Sequence, residues 1–114
     1  MKIVDLIADY HTSPADLILT VEFGDAQIGA SVVKLSGTER GTGEITDLKI
    51  GSKQAVVGKK VTVKSVVTDV NDKTNRTSVT YTLRSGKLKQ VFVSSGTVDV
   101  NGDSIIYRAL FNMK

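Results

Sequence analysis

"RTSVTYTLR", residues 76–84, decides how this chain folds. Val79, Tyr81 and Leu83 point one way along an extended backbone, and Ser78, Thr80 and Thr82 point the other. One dry face and one wet face with a period of two is the pattern of a strand in an antiparallel sheet over a single core. The flanking segments repeat the theme. "KKVTVKSVVTDV" (59–70), "KLKQVFVSS" (87–95) and "DSIIYRALFNM" (103–113) are rich in Val, Ile, Thr and Tyr, and "NDKTN", "SG" and "NG" separate them. Upstream, "LILTVEF" alternates again, Gly24-Asp25 signals a turn, and "AQIGASVVKL" follows, so 17–35 reads as a hairpin. "SGTERGTG" and "GSKQAVVG" read as loops around a short strand at 44–50.

In "VKSVVTDV" the apolar phase slips between Val63 and Val66, which predicts a bulge or a crossing between sheets. No segment from 17 to 113 carries a helical stripe. The one candidate helix is Ile3–Tyr10, where Ile3, Leu6, Ile7 and Tyr10 fit helical spacing; a strand or an arm fits equally, because eight residues cannot hold a helix without packing. The expected fold is all-β: a single-domain antiparallel β-sandwich of about seven strands over 17–114, of the immunoglobulin-like or Greek-key kind. An N-terminal arm or short helix over 1–16 precedes it. True immunoglobulin domains carry a Cys…Trp…Cys spacing, which is absent here.

Composition narrows function. A chain of 114 residues with 40% hydrophobic and 24% charged residues builds one core without staples. With no cysteine there are no disulfides, thiolate metal sites or cysteine nucleophiles. The single histidine, His11, lies in "DYHTSPAD" with no nucleophile marked beside it, so the chain is read as not an enzyme. Paired carboxylates at Asp69, Asp72, Asp99 and Asp103 lack the tryptophans with which glycosidases grip sugar rings. "VVGKKV" misses the phosphate-loop spacing, and the glycines of "GTERGTG" miss the dinucleotide spacing. "NRT" at 75–77 matches a glycosylation sequon.

Net charge is +3, but Lys59, Lys60, Lys64, Lys87 and Lys89 are interspersed with twelve carboxylates and few aromatic side chains, so nucleic acid is not the expected partner. No apolar run is long enough to span a membrane, and Asp5 and Asp9 break any signal-peptide core. The sequence leaves open a cytoplasmic protein or the mature part of an exported one.

Two stretches carry the functional expectations. "TVDVNGDSII" (97–106) sets Asp99, Asn101 and Asp103 two residues apart, and alternation of turns between the poles of a sandwich would bring them to Asp69, Asn71 and Asp72. Six hard oxygens could hold calcium, the one cofactor in view. As an EF-hand loop 99–110 fails, with Ser104 at the glycine position and Leu110 at the bidentate glutamate. Asn-Gly is also the commonest hairpin signal. The second stretch is "SIIYRALFNM", apolar on both phases: Ile105, Tyr107, Ala109, Phe111 and Met113 on one, Ile106 and Leu110 on the other, interrupted by Arg108 and Asn112. Such a strand is either buried on both sides or presents a contact surface built on Ile106, Arg108 and Leu110. The expected function is therefore a non-enzymatic binding or structural module acting through a sheet edge, loops or self-association, with a protein partner or a homo-oligomer. A calcium-dependent module using 69–72 and 99–103 is the alternative.

Overall fold

The computed structural model describes residues 2–114. Nine strands form two sheets that share one core: β1 (Lys2–Tyr10), β9 (Ser104–Met113), β6 (Lys60–Thr68), β3 (Ile28–Leu35) and β4 (Thr38–Gly43) in one, and β5 (Leu48–Gly51), β2 (Leu17–Phe23), β7 (Arg76–Ser85) and β8 (Leu88–Thr97) in the other. The all-β sandwich holds, with nine strands instead of about seven.

The extra strands lie where sequence reading placed an arm and a loop. Of the helix, arm and strand readings of the N-terminal segment, residues 2–10 take the strand. Val4, Leu6, Ala8 and Tyr10 turn toward the core at every second position, and β9 offers a free edge on which β1 pairs in parallel, from Lys2 opposite Ile105 to Tyr10 opposite Met113. Helical spacing misled because Ile3 and Ile7, on the other face, are also apolar. In "SGTERGTG", Ser36 and Gly37 both take positive φ (47° and 87°), which suits the tight turn of a hairpin, and β4 runs back along β3. A single helical turn, α1 (Lys53–Val56), seats Val56 in the core after Ser52 caps it.

Only β3–β4 and β7–β8 are hairpins; every other connection crosses from one sheet to the other. Thus 17–35 is not a hairpin. The corner Gly24–Gln27 lifts the chain from β2 to β3, with Asp25 and Ala26 in the left-handed region and Gly24 so close to Ser78 that a Cβ would meet its Oγ at 2.2 Å. The phase slip in β6 is likewise not a bulge, since the β6–β9 register runs unbroken from Lys60 to Thr68. Ser65 keeps the core phase by bonding Ser31 across the ladder (Oγ–Oγ 2.7 Å), and Val66 points outward.

Inside, Tyr10, Tyr81, Tyr107 and Phe111 are the largest buried side chains. Phe111 meets Tyr81 edge-on at 5.6 Å and Phe92 at 5.2 Å, geometry that aromatic rings favour. Two phenols find partners: Tyr10 bonds Ser85 (2.9 Å), and Tyr107 bonds the Thr77 hydroxyl (2.6 Å). The Tyr81 hydroxyl is buried without one. Among the described residues no helix is long and apolar enough to cross a membrane.

Candidate binding face

β9 lies between β1 and β6, so its backbone is laddered on both sides. Its odd residues, Ile105 to Met113, are buried between the sheets. Its even residues stand on the outer face, which no described residue covers. Ile106 and Leu110 are half-buried there and Arg108 is exposed, so the three residues expected to form a contact surface do share one face.

The ladders extend that surface in rows across three strands. Ile3, Ile106 and Val66 form the first; Asp5, Arg108 and Lys64 the second; Ile7, Leu110 and Thr62 the third; Asp9, Asn112 and Lys60 the fourth. Exposure of Ile3 (52%), Ile7 (72%) and Val66 (39%) makes two of these rows apolar and open to water. An antiparallel sheet with one solvated face ordinarily places polar side chains at such positions. A shallow depression of about 380 Å³ lies along Asp5, Ile7, Thr62, Lys64, Arg108 and Leu110, and a second of about 330 Å³ continues over Ala30, Val32 and Val66.

Charge is ordered across the face. Arg108 grips Asp5 with two bonds, Nε to Oδ1 at 2.7 Å and Nη2 to Oδ2 at 2.9 Å. These bonds, opposed by desolvation and helped by the opposite charge, hold the Asp5 carboxyl below its ordinary range and raise Arg108. Asn112 donates to Asp9 (3.1 Å). The β1 flank thus carries Asp5 and Asp9, and the β6 flank carries Lys60 and Lys64. The signal for β1 was present in the alternation of Ile3, Asp5, Ile7 and Asp9; its partner strand, about a hundred residues away, was not.

The two acidic turns meet, as turn parity predicted. Asp69 N–H donates to the Asp103 carbonyl (2.9 Å), and Gly102 N–H to that of Asp69 (3.1 Å). The Asn-Gly pair is no hairpin; it turns the crossing from β8 to β9. The oxygen-bearing side chains do not converge on one point, although Asp99 and Asp103 line one small depression with Lys2. Asp69 turns inward, where its Oδ1 accepts from Gln27 Nε2 (2.7 Å) and its Oδ2 is buried without a partner. Asn71 holds Asp25 O and Lys73 N, and Asp99 pairs with Lys2 at 3.4 Å on the outside. Among the described residues no three His, Cys, Asp or Glu side chains group as a metal would require.

Gln27, which the sequence did not single out, ties this pole together. Its Oε1 accepts from the amides of Val70 (2.7 Å) and Asn71 (2.9 Å), and its Nε2 reaches Asp69 and the Arg76 carbonyl (3.0 Å).

Other surfaces offer less. A depression of about 600 Å³ beside β2 and β3 carries Glu22, Glu44 and Asp47. Asp47 is engaged by Arg84 at 2.8 Å, which with its charge lowers the Asp47 pKa. His11 is exposed in the β1–β2 connection. Lys87 and Lys89 lie at the β7–β8 hairpin, in the other sheet from Lys60 and Lys64, so the lysines do not form one basic surface. No family model matches the chain, and no curated protein or solved structure is significantly similar to it.

Proposed function

We propose that the chain is a non-enzymatic binding module whose working surface is the outer face of the five-stranded sheet around Ile106, Arg108 and Leu110, engaging a protein surface. The observation that carries this reading is the pair of water-exposed apolar rows, Ile3–Ile106–Val66 and Ile7–Leu110, at sheet positions where polar residues are the norm. The bidentate Asp5–Arg108 pair between them holds the long Arg108 side chain in one geometry, so a docking partner meets a preformed surface.

Leu110→Lys tests it. Leu110 is only half-buried, so the substitution keeps the fold. The wild type is expected to sediment above 12.2 kDa or to retain a partner protein that the variant loses. Equal behaviour of wild type and variant, at equal melting temperature, refutes the reading.

The calcium-dependent module has one observation in its favour: the lone Asp69 Oδ2 enclosed where the two acidic turns join. Melting with millimolar calcium and with a chelator decides it, because a ligand of the folded state must raise the midpoint. A calcium-dependent rise supports that reading, and an unmoved midpoint discards it.

A further inference from the structure

We infer that the occupant of this face is a second copy of the same chain, stacked sheet on sheet about a two-fold axis running along β9. The inference rests on the proposed binding face and adds the identity and register of what covers it. A two-fold contact must be complementary to itself, because the same patch serves on both sides. The row order provides that complementarity.

Rotation about an axis along β9 keeps every residue in its own row and exchanges the flanks. β1 of one copy then lies over β6 of the other. Row by row this sets Ile3 on Val66, Asp5 on Lys64, Ile7 on Thr62 and Asp9 on Lys60. On the axis Ile106 meets Ile106 and Leu110 meets Leu110. Arg108 also meets its own copy there, but each guanidinium is already neutralised by its Asp5. The acidic flank and the basic flank belong to one chain, so two copies pair Asp9 with Lys60 twice, while each Asp5 is shared between its own Arg108 and the other copy's Lys64. Turning about an axis across the strands instead lays β1 over β1 and β6 over β6, acid against acid and ammonium against ammonium, which like-charge repulsion disfavours. Sheets stacked with strands aligned to within about 30° are a common packing of two sheet faces.

The overlap is three strands wide and nine residues long. At about 4.8 Å between strands and 3.3 Å per residue, it measures roughly 14 by 30 Å, or about 840 Å² of contact over both copies. That is below the roughly 1,200 Å² of stable interfaces and in the range of transient ones, so the dimer is weak and forms as concentration rises.

Sedimentation equilibrium of the full chain from micromolar to millimolar concentration, with two charge reversals, tests this. Asp9 and Lys60 are both exposed, so Asp9→Lys and Lys60→Asp leave the fold intact, to be verified by unchanged melting. The wild type is expected to dimerise. Each variant alone sets like charges together twice and dissociates about tenfold or more weaker. Mixed in equal amounts, the two variants restore the dimer, since the introduced lysine meets the introduced aspartate and the native Lys60 meets the native Asp9. Dimers that survive in the single variants, or a mixture that stays monomeric, overturn the inference. So does a wild type that is monomeric throughout. If that monomer still retains another protein that Leu110→Lys loses, the second copy is refuted and the binding face stands; if it retains nothing, the binding face falls as well.

Discussion

Replacing Gln27 with leucine keeps the volume of a side chain that is 6% exposed and removes every hydrogen bond its amide makes at the pole where the acidic turns meet. Five groups lose a partner: the amides of Val70 and Asn71, the Thr74 and Arg76 carbonyls and Asp69 Oδ1. A buried neutral group left unpaired costs about 1–3 kcal/mol, and one bonded to a charge more. Val70 is exposed and Asn71 half-buried, so water can reach the two amides, and they sit at the bottom of that range. Asp69 is 1% exposed and its Oδ2 already lacks a partner, so the substitution leaves a whole carboxylate bare and dominates the loss. Allowing about 1–2 kcal/mol back for the added apolar surface, the net destabilisation is about 3 kcal/mol. That is a large fraction of the 5–15 kcal/mol typical of a domain. In urea the midpoint should fall by about 1–3 M at unchanged slope.

Gln27→Glu separates the donor from the acceptor role. The introduced carboxylate still accepts from Val70 and Asn71 but faces Asp69. Its pKa in the folded protein is therefore raised, and its contribution is present at low pH, where the acid can donate, and lost as pH rises through that value. The gap between this variant and wild type should widen from acid to neutral pH. A leucine variant that loses under about 1 kcal/mol, or a glutamate penalty that is flat with pH, refutes this account of the pole.

Tyr81→Phe removes a buried hydroxyl with no partner and should leave stability unchanged or raise it by about 1 kcal/mol, whereas Tyr107→Phe breaks the bond to Thr77 and should cost about 1–2 kcal/mol in the same urea assay. Burial, which penalises the ionised phenolate, raises the pKa of Tyr81 far above 10 and raises that of Tyr107 as well, so the fold feels no titration penalty from either ring below pH 10 and loses stability as pH climbs from there toward their folded values. Phenolate absorbance from these two rings should appear only with alkaline unfolding, as circular dichroism would follow. The Asp5 carboxyl should titrate below 3.8 by NMR and return to the ordinary range in Arg108→Ala; being depressed, it favours the fold above its unfolded pKa and loses that preference as pH falls through the folded one. Phe111→Ala empties the centre of the aromatic cluster and should cost about 3–5 kcal/mol by denaturation.

Strands with one face wet and one dry were legible residue by residue: in β7 every second position from Thr77 to Ser85 is buried. Reading failed where chemistry compensates across space. Ser65 looks like a surface residue until Ser31 stands opposite it, and that missing apolar signal made Val66 look like a register slip. Gly24-Asp25 has hairpin chemistry, but the contacts that turn it into a crossing, through Ser78 and Gln27, come from chain segments about fifty residues away. The candidate face was half visible. Ile106, Arg108 and Leu110 stood out because β9 is apolar on both phases. Asp5 pairs with Arg108 across a sequence separation of 103 residues, and a parallel ladder of that span leaves no local trace.

That parallel ladder sets how the molecule meets mechanical load. Lys2 lies beside Ile105 and Tyr10 beside Met113, so the outer ends of the first and last strands are at opposite poles. Tension applied between Lys2 and Met113 slides β1 along β9 and strains their rungs together in shear, where an antiparallel pair pulled from one end would unzip rung by rung. Strung end to end, such units would yield late and abruptly.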